Sequence, residues 1–194
     1  MDHYIDIRIR PDPELPVTAV LSIVFGRLHR VLVQLESSDI GVSFPEVKGD
    51  PPEPGSRPNG LGALLRVHGS LPSLNRLAQQ PWLPNVRDHI SITNPRPVPE
   101  QTQHRAVWRV QAQSSPERVR RRLMKRHGID EATAAQRIPD TAAQVLRLPY
   151  LNLSSGSTGQ HFRLFVQHRP LRSTPAGGIF NAYGFSQIAT VPWF

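Results

Sequence analysis

Residues 4–36 read YIDIRIRPDPELPVTAVLSIVFGRLHRVLVQLE, and two periodicities meet in them. Over residues 4–10 the side chains alternate. Ile5, Ile7 and Ile9 face one way, and Tyr4, Asp6, Arg8 and Arg10 face the other, which predicts a half-buried strand. Pro11, Pro13 and Pro16 end it. Over residues 18–36 the apolar positions Leu21, Val24, Phe25, Leu28, Val31, Leu32 and Leu35 recur at three- and four-residue steps. That spacing predicts a helix with one buried face.

Outward from this strand-helix pair, residues 40–44 form a short strand closed by Pro45. Residues 48–60 (KGDPPEPGSRPNG) are a turn-rich, mostly polar loop. A third strand follows at 61–68, a short helix at 70–80 built on Leu71, Leu74 and Leu77, and a fourth strand at 87–93. The order β-α-β-β-α-β is that of the ferredoxin-like, RRM-like split arrangement. That arrangement names no function by itself, although many RNA-binding modules share it. Residues 94–103 (NPRPVPEQTQ) read as a linker. The fold class expected is therefore α+β: a ferredoxin-like domain over residues 1–95, then a smaller α/β domain over 104–194 bearing an arginine-rich helix. In that second part, 104–113 is extended, 129–147 holds one or two helices broken at Pro139, and 161–168 and 179–186 read as strands.

The chain has 194 residues, 38% of them hydrophobic, enough to build a core. Lys plus Arg number 23 against 15 Asp plus Glu, a net charge of +8. Such an excess favours a polyanionic partner where the charge is clustered. There are no cysteines, so disulfides and thiolate-bound metals are excluded. No apolar run is expected to reach the length of a membrane span. The N-terminus lacks a signal-peptide layout, so no membrane is expected and a cytoplasmic location is the default.

The charge is clustered at 115–127. Ser115 suits an N-cap and Pro116 the first helical position. Glu117 complements the helix dipole. The helix continues RVRRRLMKRH, and at 100° per residue Arg118, Arg121, Arg122, Lys125 and Arg126 share one broad face. Val119 and Leu123 form a narrow apolar strip that tethers it. Like-charged neighbours on a helix cost a few tenths of a kcal/mol per pair. An anionic surface relieves that cost, and arginine forks onto phosphates and guanine edges. Just upstream, Arg105, Val107, Arg109 and Gln111 fall on one face of an extended segment. Arginine matches the Hoogsteen edge of guanine and glutamine that of adenine, so Arg109 and Gln111 suit two neighbouring bases. An ordinary exposed strand face fits the same pattern.

His29 lies at the border of the apolar stripe, next to Phe25, with Arg27 and Arg30 facing outward. An imidazole there can be partly buried and still reach a ligand, and it exchanges a proton near neutral pH. A packing histidine is the alternative. Residues 154–162 (SSGSTGQHF) offer hydroxyls and backbone N–H groups to a phosphate or ribose, or serve as a plain linker. No carboxylate cluster or paired histidines suggest a metal or other cofactor. An RNA cutter can work without one, because the 2′-hydroxyl beside the scissile phosphate is a built-in nucleophile.

Several long and unusual strings coincide here: MDHYIDIRIRPDPELP, FGRLHRVLV, IGVSFP, QPWL, VQAQSSPERVRRRLMKRHGI, RIPDT, STGQHFRLF, AYGFS and the terminal VPWF. Across nearly its whole length the chain resembles the repeat-processing endoribonucleases of type I-F CRISPR systems, within the RAMP superfamily. The resemblance implies that the protein binds the hairpin of a CRISPR repeat, in pre-crRNA and crRNA, with the basic helix in the major groove of the stem. It implies cutting at the 3′ base of the hairpin without metal or cofactor, giving a 2′,3′-cyclic phosphate and a 5′-hydroxyl. The mature crRNA then stays bound and joins the subunits of the type I-F surveillance complex.

Residue by residue, the resemblance makes His29 the general base, Ser155 the group that positions the ribose, Ser157 a support for that loop and Tyr183 the orienter of the histidine. Arg109 and Gln111 read the lowest stem bases, Arg122 and Arg126 contact groove and phosphates, and Phe162 stacks on the terminal base pair. Two departures stand out. Lys125 occupies a position where arginine is expected, and it neutralises phosphate without the same fork. The 48–60 loop is longer and richer in proline than expected. A non-catalytic RNA-hairpin-binding module and a DNA-binding regulator are the competing readings.

Overall fold

The computed structural model describes residues 1–47, 60–111, 116–138, 148–156 and 159–194, with the side chains of 116–118 left aside. By packing, the chain falls into two compact units: Met1–Arg109 with Leu148–Phe194, and Val110–Arg147. This division differs in kind from the 95/104 boundary expected from the sequence.

In the larger unit, strand β1 (His3–Ile9) is central. Ile5, Ile7 and Ile9 are 5%, 1% and 2% exposed. Each such burial contributes about 1.5–3 kcal/mol. They meet helix α1 (Val17–Gln34), whose buried face is Val20, Leu21, Val24, Phe25, Leu28, Val31 and Leu32. The next elements are β2 (Gly41–Ser43), β3 (Leu64–Gly69), α2 (Leu71–Ala78) and β4 (Ile90–Ile92). Ser70 caps α2 by accepting from the Ser73 N–H. The strands pair antiparallel in the order β2-β3-β1-β4. α1 is long and apolar enough, by length and composition, to pass as a membrane span, contrary to expectation. Its apolar face packs on this sheet, as the core helix of a globular unit does.

Two sequence readings need correction here. The first half of 87–93 is a 3-10 turn, Arg87–His89, and only Ile90–Ile92 is strand. The segment read as a linker carries β5 (Arg96–Pro97), which pairs with β1 through His3 and Tyr4. Proline is tolerated at such a sheet margin, where no ladder N–H is required of it.

The chain then forms β6 (Gln103–Arg105) and β7 (Val107–Val110). β6 pairs with β10 (Val191–Trp193). β7 joins a sheet of order β7-β9-β8, where β8 is Tyr150–Ser154 and β9 is His161–His168. The expected strand over 179–186 is absent. Those residues form a turn, held by Asn181 and a positive φ at Gly184.

In the smaller unit, α3 (Pro116–His127) packs on α4 (Glu131–Arg137). α3 ends where Gly128 adopts φ +61 and donates its N–H to the Met124 carbonyl at 2.8 Å. Asp130 caps α4 through the Thr133 N–H at 2.7 Å. The expected Ser115 cap, most of the 48–60 loop and the helix beyond Ile138 lie outside the described residues.

One buried histidine couples this core to pH. His68 on β3 is fully buried, with Nε2 2.8 Å from the Ser43 hydroxyl and no partner for Nδ1 among the described residues. Burial, aided by the nearby Arg66 charge, holds its pKa well below the usual imidazole range. The unfolded chain takes up a proton on this residue below about pH 6.5 and the folded chain does not, so its stabilisation is complete above that pH and lost as pH falls. Partial burial of His104 acts in the same direction. Asp2, Asp12, Asp39 and Asp130 have lowered values and lose their contribution only below the ordinary carboxylate range. The calorimetric midpoint should therefore fall between about pH 6.5 and 4, and more gently in His68→Gln. Equal slopes in the two proteins would remove His68 as the cause.

Candidate active site

α1 presents its buried face to the sheet and its border to a cleft of about 630 Å³, walled on the far side by β8 and the start of β9. His29 lies on that border, half-buried. Its Nδ1 is 2.8 Å from the carbonyl oxygen of Ala182. A carbonyl can only accept, so Nδ1 carries the proton and the neutral ring keeps its lone pair on Nε2. The ring stacks on Tyr183, with centroids 3.9 Å apart and planes 8° from parallel. Tyr183 in turn stacks on Phe25, which contacts Phe185 and Phe44. The imidazole is thus fixed in plane and tautomer, with one nitrogen able to take a proton.

The turn that supplies Ala182 and Tyr183 is held by its own chemistry. The Asn181 side-chain oxygen accepts from the N–H groups of Tyr183 and Phe185, at 2.9 and 3.2 Å. Gly184 has φ +72. Its carbonyl accepts from Val42 on β2 at 2.9 Å, and a Cβ there would stand 2.4 Å from a Val42 methyl. Only glycine fits both the angle and the approach.

Ser155 follows β8, half-buried, and lines the same cleft as His29. Its N–H donates to the Gln160 carbonyl and its own carbonyl accepts from Gly159, both at 2.8 Å. The expected loop is therefore the turn of the β8-β9 hairpin. Ser157 lies outside the described residues. Phe162 on β9 is half-buried and also faces the cleft. The Arg109 guanidinium stands 5.5 Å from the Phe162 ring centre and 5.9 Å from that of Tyr183, within cation–π range.

The larger unit thus gathers His29, Tyr183, Ser155, Phe162 and Arg109. Gln111 is exposed and belongs to the smaller unit, as do the helix cations. Arg121, Arg122, Lys125 and Arg126 are exposed, while Val119, Leu123 and Met124 are half-buried, as the helical projection requires. Arg120 lies off that face and donates to the Ile138 carbonyl at 2.7 Å. The side chain of Arg118 is not among those described.

The alternation read upstream of the basic helix holds only in part. The strand changes sheets at Ala106. Arg105 is 8% exposed, donates to the Arg169 carbonyl at 2.8 Å and sits 4.5 Å from the Trp193 ring centre. It is a packing arginine, and Val107 is buried beside it. Sequence reasoning also passed over cleft residues. Arg30 and Arg27 line it, and Asn152 on β8 donates its backbone N–H to Ser22 at 3.2 Å. Both arginines were legible as outward-facing, but nothing local said what they face.

Comparison with known proteins gives one answer. The family described as CRISPR-associated protein (Cas_Csy4) matches residues 4–194. The CRISPR-associated endonuclease Cas6/Csy4 of Pseudomonas aeruginosa (strain UCBPP-PA14) is 51% identical over 194 residues, covering 100% of both chains. The protein of the same description from Escherichia coli (strain UTI89 / UPEC) is 41% identical with the same coverage. A solved structure titled "An RAMP protein binding different RNA substrates" aligns over 97% of this chain and 99% of that one, at 11% identity and a TM-score of 0.34, a likeness that carries no argument.

The Gly184 constraint is testable. Gly184→Ala should displace the turn that holds His29 and lower nuclease activity at least about tenfold, the scale of a misplaced reacting group. Nuclease assays against a fluorescence melt would check it. Full activity in a folded Gly184→Ala protein would show that the turn does not position the histidine.

Proposed function

The chain belongs to the Csy4 family of CRISPR-associated proteins, and from that premise we propose that it is the endoribonuclease that cuts the repeat hairpin of type I-F pre-crRNA. The observation that carries the reading is the state of His29. One ring nitrogen is tied to a carbonyl, the ring is clamped on Tyr183, and the other nitrogen is left to act in the cleft that Ser155 lines.

In this reading the stem end stacks on Phe162 and the ribose of the last stem nucleotide lies against Ser155. His29 Nε2 takes the proton of the 2′-hydroxyl as that oxygen attacks the adjacent phosphorus. The bond from phosphorus to the 5′-oxygen breaks, the leaving oxygen is protonated from solvent, and His29 returns to solvent the proton it took. The products are a 2′,3′-cyclic phosphate and a 5′-hydroxyl. No metal is needed, because the nucleophile is part of the substrate and the enzyme's task is alignment and a base. Tyr183 is a positioning residue that sets the plane of the histidine.

Binding is assigned to the basic helix, with Arg118, Arg121, Arg122, Lys125 and Arg126 on phosphates and groove. Arg109 and Gln111 read the lowest base pairs. A-form RNA has a narrow major groove, but a short stem closed by a loop admits a helix at its open end. The strand order β2-β3-β1-β4 supports the ferredoxin-like, RRM-like reading of residues 1–95, with residues 104–194 as the RNA-binding part. We assign the mature crRNA as a retained product, the type I-F surveillance complex as the assembly and the cytoplasm as the location. A non-cutting hairpin binder would keep the same basic face, but it has no use for a histidine fixed in one tautomer.

A hairpin with a 2′-deoxy sugar at the cut position should bind tightly and remain intact. Its cleavage would exclude the 2′-hydroxyl route, and a preference for duplex DNA would favour a regulator. His29→Ala should abolish cutting in gel assays with little change in hairpin affinity; a normally active variant would remove it as the base. Replacing Arg122 and Arg126 together should weaken binding and reduce the salt slope by about 1.8, or 0.9 per duplex phosphate contact. An unchanged slope would argue against phosphate contact by these residues.

A further inference from the structure

Helix α1 carries a glycine that its packing does not require. Gly26 lies in the middle of an 18-residue helix, where glycine is less favourable than alanine because its backbone has more freedom to lose. A Cβ there would stand 3.7 Å from a Leu153 methyl, an ordinary contact distance, so alanine would fit. Gly26 is half-buried and lines the active-site cleft. It precedes His29 by three residues and Arg30 by four. At 100° per residue it falls between them, roughly 60° from the first and 40° from the second. The Cα–Cβ bonds of a helix tilt toward its N-terminus, so both side chains start out over the turn that Gly26 leaves bare.

Arg30 is the cation available at that spot. It is exposed, lines the same cleft as His29 and Ser155, and has no partner among the described residues. Arg27 also lines the cleft, but its guanidinium donates to the Pro84 carbonyl. Among the described residues no carboxylate lines the cleft to neutralise either arginine. The reading above supplies a base for the 2′-hydroxyl and a serine for the ribose. It leaves unanswered the negative charge that gathers on the non-bridging oxygens as the 2′-oxygen bonds to phosphorus. A positioned cation there favours the transition state over the ground state, and the planar fork of arginine matches two phosphate oxygens.

We propose that the scissile phosphate seats on the bare turn at Gly26, between His29 and Arg30, and that Arg30 is a further catalytic residue, its guanidinium on the two non-bridging oxygens. This rests on the endoribonuclease reading and deepens it. His29 takes the 2′-proton at one edge of the seat. The bond from the 2′-oxygen to phosphorus forms and the bond to the 5′-oxygen breaks, while Arg30 stays protonated and transfers nothing. Gly26 lets the phosphate approach the helix backbone closely, and a methyl group would hold it off and tilt it out of line. The stem is held by other residues in this reading, so the seat acts on the rate of cutting and not on the grip of the hairpin.

The test uses the full protein, an all-ribose CRISPR-repeat hairpin RNA that extends past the cut, and the same hairpin ending at the cut ribose without its phosphate. In single-turnover assays with enzyme in excess, Arg30→Gln should cut on the order of a hundredfold more slowly than the parent, the scale for losing one group that faces developing charge. Arg30→Lys should recover part of that rate. Both variants should bind the phosphate-free hairpin as the parent does. Gly26→Ala should melt about 2–4 °C higher, as alanine in place of a helical glycine does. It should nevertheless cut at least about tenfold more slowly, as expected for a reacting group displaced by about 1 Å. An Arg30→Gln protein that cuts nearly as fast as the parent, or that loses affinity for the phosphate-free hairpin in step with its rate, would overturn the role of Arg30. A Gly26→Ala protein that melts lower than the parent, or cuts at the parental rate, would overturn the seat. In those cases the parent still binds and cuts, and the endoribonuclease reading stands. If the parent neither binds nor cuts the all-ribose hairpin, that reading fails, and the phosphate seat with it.

Discussion

The register of α1 on its sheet governs the rest of the molecule. Val24, Phe25, Leu28 and Leu32 are almost wholly excluded from water, and a helix anchored at so many points has one rotational setting. That setting fixes the border position of His29 and turns Arg27 and Arg30 outward. A rotation by one residue, about 100°, would carry the histidine off the cleft and expose apolar surface. The energy of the core is thereby also the precision of the site, and a large residue cannot change on the inner face of α1 without moving the outer one.

The second constraint comes from the far end of the chain. The turn at residues 181–185 is docked on β2 through the Val42–Gly184 hydrogen bond and on Phe25 through Tyr183 and Phe185. It contributes a carbonyl and a ring to the histidine, and neither has any reactivity of its own. Their work is to restrict. An imidazole on an exposed border rotates freely and samples both tautomers; this one does neither. The exposed helix cations Arg121, Arg122, Lys125 and Arg126 belong to the other packing unit.

How much of this was legible varies with the kind of signal. β1 and α1 could be read from periodicity, because Ile5, Ile7 and Ile9 and the stripe of α1 are direct images of burial. The basic helix was legible for the same reason, and its exposed cations match the projection. His29 was visible as a border residue, but no local pattern joins it to Ala182. The segment 179–186 looked like a strand because aromatic and aliphatic residues suggest one, yet Asn181 and Gly184 were turn signals of known mechanism. Arg105 fitted the alternation of a reading face, and the break at Ala106 left it packed on Trp193. The proline-rich stretch after residue 93 resembled a linker, and only tertiary pairing shows that Arg96 and Pro97 extend the first sheet. Long-range partners decide each of these cases, and periodicity carries no information about them.

The hydrogen bond that sets His29 spans 153 residues of chain. Contacts this remote form late, because the loop they close must first surrender its freedom. Helix formation is a sub-microsecond to microsecond event, much faster than closing a chain of this length into a native contact. A chain that had formed α1 alone would carry the residue without that alignment. If His29 is the base proposed above, recovery of cutting during refolding waits on this docking, and helix signals run ahead of it.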